Sequence, residues 1–300
     1  MMVAEQALQC VSTNFTTADS QGMTIMSYIF VGGSQRSGTS IAQQILCQHP
    51  DANPYVFESS FLRQLVCCYS EARSNFNNNH KSYFGDLQGL RNFNCGVVQA
   101  FLEQVNVRLG NHSHLILKEP HLTLVWPHLY ELVPQAQFLM IVRDPRDVIA
   151  SMVQVGARQK AAGQYYEFVN RDMPRLCRHF LSFYEPSFSV QDENFKNQLA
   201  VVHYEELVND PKQMLQEIAS FTGISFDQID TEQTPDTGHV QPQTTTSALY
   251  SPWVTEVSGQ KLSKGRVGNY LNVLTPSEVA QVEEHCSEFF EWFGYSRQAA

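Results

Sequence analysis

Short apolar runs alternate with amphipathic segments along this chain, and the alternation predicts strands that are followed by helices. Buried strands are predicted at four runs rich in Ile, Val, Leu and Phe, over residues 25–31, 115–117, 137–142 and 199–202. Helices are predicted where apolar residues recur at helical spacing, over residues 37–48, 144–158, 211–221 and 276–292. Because the strands are apolar on both faces, we expect a single α/β domain with a central parallel sheet flanked by helices.

Two polar segments interrupt this alternation. Residues 74–94 are rich in Asn and aromatic residues, and residues 227–246 contain several Pro and Thr. Both are long for ordinary connections, so they are either mobile lids or elements that the pattern fails to show. We expect an N-terminal extension over residues 1–24 and one domain over residues 25–296, in which 74–94 and 227–263 are the candidate mobile segments.

The composition limits the partners without naming a reaction. The 300 residues include 20 Lys and Arg and 30 Asp and Glu, which gives a formal net charge of −10. A chain this acidic is not expected to bind nucleic acid, although a few positive groups could still form an anion pocket. The seven cysteines are odd in number and show no CxxC spacing, and no apolar run has the length of a membrane span. We therefore expect a cytoplasmic protein with no membrane or nucleic-acid partner.

The glycine-rich turn after the first strand has the pattern of a phosphate cradle, in which backbone N–H groups and a helix N-terminus meet an anion. Gly33 and Gly38 have the spacing of the ATPase phosphate loop, GxxxxGK[ST]. Thr39 stands where that loop requires Lys, and the cation lies earlier, at Arg36. The alternative is an ordinary strand–helix turn with an incidental Arg. The cradle residues are Gly33, Ser34, Gln35, Arg36, Ser37, Gly38, Thr39 and Ser40.

A second motif, RDPRD at 143–147, follows the third strand. An Arg at the carboxyl end of a strand points into the crevice where open α/β sheets bind ligands. Ser151 lies two turns into the next predicted helix, so Arg143 and Ser151 could grip one anionic group. Pro145 and Asp147 also fit an ordinary helix start, which is the alternative explanation of this segment.

Together the two motifs resemble those of the sulfotransferases that use 3′-phosphoadenylyl sulfate (PAPS). RSGTS at 36–40 is similar to the 5′-phosphosulfate loop of that family, and the step from Arg143 to Ser151 is similar to its 3′-phosphate motif. Further pieces follow in the family's order, namely His49-Pro50-Asp51 with Glu58, Lys118-Glu119-Pro120, Tyr204-Glu205-Glu206-Leu207, and Lys264-Gly265-Arg266 with Tyr270 where Trp is usual. The resemblance is greatest to the tyrosylprotein and bacterial branches, and the lack of an apolar anchor favours a bacterial-type enzyme. It implies a P-loop-NTPase-like sulfotransferase fold, PAPS as the sulfuryl donor, and no required metal.

The resemblance also implies a role for individual residues. Arg36 would neutralise charge on the bridging oxygen, and Glu58, at the start of a helix after a short strand at 55–57, would be the general base. His121 is the alternative base, and Lys118 would orient the sulfonate or the loop. Each has a plain structural explanation as well, such as a helix-start carboxylate for Glu58 or a surface amine for Lys118. The residues implied to bind the cofactor are the eight cradle residues together with Arg143, Ser151, Tyr204, Lys264, Gly265 and Arg266.

The expected function is transfer of a sulfuryl group from PAPS to a hydroxyl, or to an amine or guanidinium nitrogen, of a small natural product. The enzyme would act as a monomer or a homodimer. Two other hypotheses remain open, a P-loop kinase of small molecules and a nucleotide-binding module without activity. Segments 74–94 and 227–246 are where we expect the acceptor to be recognised, because loops on a fixed scaffold carry variable recognition. The acidic balance makes a cationic acceptor a further hypothesis.

Overall fold

Four parallel strands form the centre of the molecule. The structure is a computed structural model, and it describes residues 26–165, 168–231 and 264–297. The expected extension over 1–24 and residues 232–263 lie outside the described residues. The sheet has the order β2-β1-β3-β4, with β1 (Ser27–Gly32), β2 (His114–Lys118), β3 (Gln137–Val142) and β4 (Leu199–His203). Each neighbouring pair is parallel, which confirms the predicted central sheet.

Helices cover both faces of the sheet. The α-helices of the described residues are α1 (Thr39–Leu46), α2 (Ser60–Ser74), α3 (Lys81–Phe84), α4 (Leu87–Leu109), α5 (Trp126–Leu132), α6 (Pro145–Ala161), α7 (Met173–Ser182), α8 (Glu185–Phe188), α9 (Glu193–Lys196), α10 (Tyr204–Asn209), α11 (Pro211–Thr222), α12 (Pro276–His285) and α13 (Ser287–Phe293). Between them lie a π-helical turn, Phe76–His80, and 3₁₀ turns at Pro120–Val125, Lys264–Arg266 and Asn269–Asn272.

The two faces of β1 explain why helices pack on both sides. Tyr28 and Phe30 belong to one hydrophobic cluster, which also contains Trp126 of α5. Ile29 and Val31 belong to a second cluster, with apolar residues of α1 and α11. Because alternate side chains of a strand point to opposite faces, a strand that is apolar at every position needs a helical layer on each side.

Segment 74–94 is largely helical, so it contains elements that the sequence pattern failed to show. The π-helical turn, α3 and the start of α4 occupy it, and Phe76 anchors the turn in the core. Asp86 caps α4 by accepting a hydrogen bond from the N–H of Gly89 at 2.7 Å. Three consecutive Asn residues hid these elements from the sequence pattern, because Asn is a poor helix former.

The last predicted helix, over 276–292, is two helices rather than one. It begins as predicted, with Thr275 capping α12 and Glu278 completing the capping box. The chain leaves helical geometry at Cys286, which has a φ of −104°, and restarts as α13. The break brings Phe289 and Tyr184 into contact, with ring centroids 4.8 Å apart, so it serves the packing of the core.

Candidate active site

The carboxyl ends of the four strands place the candidate site at one edge of the sheet. Gly33 follows β1, Lys118 ends β2, Arg143 follows β3 and Tyr204 follows β4. Val31 and Lys118 are register partners, so Lys118 lies next to the start of the glycine-rich turn. Ligands of open parallel sheets bind at this edge, as the sequence predicted.

The glycine-rich turn is held open by polar contacts to its own backbone and to the core. The hydroxyl of Ser37 donates to the carbonyl of Ser34 at 2.7 Å. The N–H of Ser34 donates to the buried hydroxyl of Tyr184 at 3.1 Å, which in turn donates to the carbonyl of Ile141 at 3.2 Å. Gly33 has a φ of 137°, and a Cβ there would overlap that same carbonyl, so the turn requires glycine.

Gly38 allows an aromatic ring to reach the start of α1. Its φ is 103°, and a Cβ at this position would overlap the ring of Tyr204. The guanidinium carbon of Arg143 lies 4.3 Å from the centroid of the same ring, which is a cation–π distance. Tyr204 is buried, so the ring fixes Arg143 beside the positive end of α1.

Three other arginines lie near enough to Arg36 for their charges to act on it. Nε of Arg36 donates to the hydroxyl of Ser151 at 3.1 Å, and Arg143 donates to the carbonyl of Arg266 at 2.5 Å. Burial lowers the pKa of Arg36 to about 10, and the neighbouring guanidinium charges add to this effect. Those neighbours are Arg158, Arg143 and Arg266. Like charges this close repel one another, so the cluster suits a ligand with several negative charges.

Asp147 fastens the C-terminal segment to this cluster. Its Oδ2 accepts from the N–H of Gly268 at 2.8 Å, and its Oδ1 accepts from the N–H of Tyr270 at 2.9 Å. Nη2 of Arg143 lies 3.5 Å from the same carboxylate. Burial raises the pKa of Asp147, whereas these three partners favour its charged form and oppose that effect. We call these two hydrogen bonds from Gly268 and Tyr270 to Asp147 the clasp. The clasp explains how Arg266, which is remote in sequence, comes to lie beside Arg143.

Glu58 and Lys118 form an ion pair at the other end of the site. Nζ of Lys118 lies 2.9 Å from Oε1 of Glu58. The side chain of Lys118 is 4% exposed and that of Glu58 is 50% exposed, so a buried amine holds a carboxylate that reaches solvent. Lys118 is therefore not the surface lysine of the plain structural explanation.

The strand predicted at 55–57 before Glu58 does not form. The side-chain oxygen of Asn53 accepts from the N–H of Ile116 at 2.5 Å, and its amide nitrogen donates to the carbonyl of Ile116 at 3.3 Å. A side chain thus occupies the groups of β2 that a neighbouring strand would pair with. The chain instead follows the edge of β2 until the N–H of Ser59 donates to the carbonyl of Lys118 at 2.9 Å, which places Glu58.

His121 lies just after β2 and is oriented by Glu119. Its Nδ1 is 3.3 Å from Oε1 of Glu119, and its backbone N–H donates to the same oxygen at 3.0 Å. Burial alone would raise the pKa of Glu119, but the hydrogen bonds from His121 and the charge of Lys118 hold it below its ordinary value. An ionised Glu119 that accepts from Nδ1 leaves Nε2 as the basic atom of the His121 ring.

The family model for the Sulfotransferase family matches residues 28–228, which is more than half of the chain. This chain belongs to the sulfotransferase family. The match covers the sheet, the cradle, the arginine motif of α6 and the Glu58–Lys118 pair, and it ends before the segment that carries Arg266.

Curated relatives of this sulfotransferase include protein-tyrosine sulfotransferases. Protein-tyrosine sulfotransferase 2 of Gallus gallus is 27% identical over 202 residues, which are 67% of this chain and 52% of the relative. Protein-tyrosine sulfotransferase 1 of Danio rerio is 25% identical over 202 residues, 67% of this chain and 54% of the relative. The chain spans between about a third and two thirds of the length of the curated relatives that it matches.

A solved structure supports the same fold. The sulfotransferase domain from the curacin biosynthetic pathway superposes with a TM-score of 0.53 at 17% identity, covering 88% of this chain and 97% of that chain. At this identity the likeness concerns the fold, which is the single α/β domain with a parallel sheet that the sequence predicted.

The structure brings the two family motifs of this sulfotransferase together, because Arg36 of the cradle touches Ser151 of the second motif. Arg36 thus contacts a residue that the resemblance assigns to the 3′-phosphate. The side chain of Lys264 lies outside the described residues, whereas Gly265 and Arg266 lie in a 3₁₀ turn. The remaining predicted site residues lie in the cradle, in the first turn of α1 or at the ends of β2, β3 and β4.

Sequence reasoning missed two residues of this sulfotransferase site, Arg158 and Asp147. Arg158 lies seven residues after Ser151 on α6, a spacing that repeats one face of a helix and could have revealed it. Asp147 lies four residues after Arg143, but its partners, the N–H groups of Gly268 and Tyr270, are more than a hundred residues away. No local pattern could have shown that contact.

The described residues contain neither a candidate metal site nor a candidate membrane-spanning helix. Within residues 26–165, 168–231 and 264–297, no group of three or more His, Cys, Asp or Glu side chains is arranged to hold a metal ion. In the same part of the chain, no helix is both long enough and apolar enough to cross a bilayer.

Proposed function

We propose that this chain is a PAPS-dependent sulfotransferase that transfers the sulfuryl group to a hydroxyl, or to an amine or guanidinium nitrogen, of a small-molecule acceptor. The observation that carries the proposal is the cluster of Arg36, Arg143, Arg158 and Arg266 beside the cradle. A 3′-phosphate has about two negative charges at pH 7, and a phosphosulfate adds further charge, so PAPS matches the cluster in sign and in number.

The residues present fit such a cofactor. Gly33 and Gly38 take the positive φ angles that the turn needs, and the N-terminus of α1 lies beside them, so backbone N–H groups and the positive end of a helix are available to an anion. Arg143 and Ser151 would hold the 3′-phosphate, and Tyr204 lies at the same edge. When bound, PAPS supplies an activated sulfuryl group whose phosphate is the leaving group.

The work of this chain's own residues would be positioning and neutralisation of charge. Arg36 and the cradle N–H groups would stabilise charge on the leaving phosphate. Lys118 holds Oε1 of Glu58, which fixes the carboxylate so that Oε2 can accept the proton of the acceptor hydroxyl. His121, oriented by Glu119, is the alternative base.

Calorimetric titration with 3′-phosphoadenosine 5′-phosphate (PAP), compared with ATP and Mg²⁺, tests the proposal. We expect PAP to bind at least about a hundredfold more tightly, because only PAP presents a 3′-phosphate to Arg143 and Ser151. Equal or tighter binding of ATP would contradict the proposal and would favour the kinase hypothesis. Release of PAP from PAPS that depends on an acceptor would distinguish an enzyme from a module that only binds nucleotide.

A tyrosine side chain of a protein is a second candidate acceptor. It is favoured by the relatives from Gallus gallus and Danio rerio, whose names state that activity. Parallel assays with a tyrosine-containing acidic peptide and with 2-naphthol separate the two acceptor classes. We also propose a cytoplasmic location, which is supported by the free thiols of Cys47, Cys67, Cys68, Cys95, Cys177 and Cys286.

A further inference from the structure

A groove of about 380 Å³ opens directly beside Glu58. One wall is the segment 56–61, the other is the C-terminal half of α4, and Leu117 of β2 lies between them. The residues that line the groove are mostly apolar. Two of them, Phe57 and Phe61, are 57% and 55% exposed to solvent. Exposed aromatic residues that converge on one concave surface are typical of a binding site rather than of an ordinary surface.

The groove and the proposed cofactor site share one residue. Glu58 lines the groove, and its Oε1 is held by Lys118, whose register partner Val31 leads into the cradle. An acceptor that lies in the groove could therefore present its nucleophile to the Glu58 carboxylate, which Lys118 connects to the strand that leads into the cradle. Phe61 and Phe101 lie on opposite walls with ring centroids 5.4 Å apart, and together they form the aromatic part of the groove.

A single positive charge lies farther along the groove. Arg108 is exposed, and within the described residues it makes no ion pair. It follows Phe101 by seven residues on α4, which is about 10 Å along a helix with a rise of 1.5 Å per residue. The groove thus has a carboxylate among its lining residues, an apolar aromatic region at Phe61 and Phe101, and a guanidinium at Arg108.

We propose that this groove binds an amphiphilic acceptor, an aromatic or alkyl alcohol with an acidic group at its far end. The inference rests on the proposed function, because Glu58 must face the acceptor hydroxyl. The apolar body would pack against Phe61 and Phe101, and the acidic group would pair with Arg108. This acceptor differs from the cationic one suggested by the net charge, since Arg108 would repel a cation. The proposal also places acceptor recognition at residues 56–61 and at the C-terminal half of α4, rather than in segment 74–94, where we expected it from the sequence.

The test uses 6-hydroxy-2-naphthoate and 2-naphthol, which differ only in the carboxylate. Each is titrated into the full chain, with and without saturating PAP, and the fluorescence of the naphthalene ring is followed. We expect the naphthoate to bind more tightly than naphthol. Phe61→Ala should weaken both ligands at least about tenfold, and Arg108→Met should weaken only the naphthoate. Phe93→Ala is the matched control, because Phe93 is exposed on the same helix but does not line the groove.

The outcomes separate this inference from the proposed function. Failure of PAP to bind the wild-type chain would contradict the proposed function, and the titrations without PAP would still report on the groove. Normal PAP binding with equal naphthol and naphthoate affinities, or with affinities unchanged by Phe61→Ala, would overturn the amphiphilic acceptor. Binding of the acidic tyrosine peptide that is insensitive to Phe61→Ala would overturn it as well. PAP affinity should be unchanged in all three variants, so any change in it would show that a variant disturbs the fold.

Discussion

Replacing Arg36 with Met should stabilise the empty protein while it removes PAP binding. Arg36 has a φ of 74°, and Met carries the same Cβ, so the backbone strain is unchanged by the substitution. The side chains have similar volumes, so packing is also largely kept. What changes is the charge, which is removed from a cluster of four guanidinium groups.

The magnitude follows from the pKa of Arg36. The shift from 12.5 to about 10 corresponds to about 3 kcal/mol, at about 1.4 kcal/mol per pKa unit. Because the folded protein binds this proton more weakly than the unfolded chain does, the penalty acts at every pH below about 10. The lost hydrogen bond to Ser151 offsets about 1.5–3 kcal/mol of this gain. We expect the free energy of unfolding to rise by about 1 kcal/mol.

Urea unfolding of the wild type and the variant, with and without PAP, measures this directly. PAP at a hundred times its Kd should stabilise the wild type by about 2.7 kcal/mol and should leave Arg36→Met unchanged. Arg146→Met is the matched control, because Arg146 pairs with Asp144 at 2.7 Å and with Glu283 at 2.6 Å. Its removal leaves two carboxylates without their partner and should cost about 3–5 kcal/mol. Destabilisation of empty Arg36→Met by more than about 1 kcal/mol would refute the reasoning.

Three further predictions concern the base, the clasp and the cradle. Glu58→Gln should lower kcat by about 10²–10⁴ with an unchanged Kd for PAP, and His121→Gln should lower it less than tenfold; the reverse order would make His121 the base. Asp147→Ala leaves the buried N–H of Tyr270 and the partly buried N–H of Gly268 without an acceptor. The free energy of unfolding should fall by about 2–4 kcal/mol, and calorimetry should show a PAP affinity at least tenfold weaker. Asp86→Ala, which only uncaps α4, should cost about 1 kcal/mol and leave PAP binding intact. Gly38→Ala should weaken PAP binding at least tenfold. Gly223→Ala is the control, because Gly223 has a φ of 73° but open space around it, and it should lower the free energy of unfolding by only about 1 kcal/mol. Equal losses of unfolding free energy in the two variants would contradict a role for the contact with Tyr204.

The four strands were predictable because each is a short apolar run bounded by turn residues, and each forms within about two residues of its expected place. The segment at 55–57 looked the same in the sequence, yet it does not pair. The difference is Asn53, whose side chain takes the hydrogen-bonding groups of Ile116. A side chain that substitutes for a strand backbone has no hydrophobic pattern, so periodicity could not have revealed it.

The cradle was predictable for a different reason. Its glycines, its serines and its cation are contiguous, so the spacing of Gly33 and Gly38 already describes one local structure. The clasp by Asp147 and the approach of Arg266 to Arg143 depend on contacts between distant parts of the chain. The family resemblance pointed to Arg266, but only the fold showed what holds it there.

The sequence alone does not distinguish the roles of Arg143 and Arg146, the two arginines of one motif. Arg146 is surrounded by carboxylates, which raise its pKa even though burial opposes them, so it stabilises the fold. Arg143, three residues earlier, has one carboxylate partner at 3.5 Å and otherwise contacts the ring of Tyr204 and the backbone carbonyls of Arg36 and Arg266. A motif with two identical side chains thus contains one that two carboxylates hold in the fold and one that lies beside another arginine of the candidate site. Because like charges repel, the arginines near Arg143 suit a bound anion, and this is the role that the proposed function gives them.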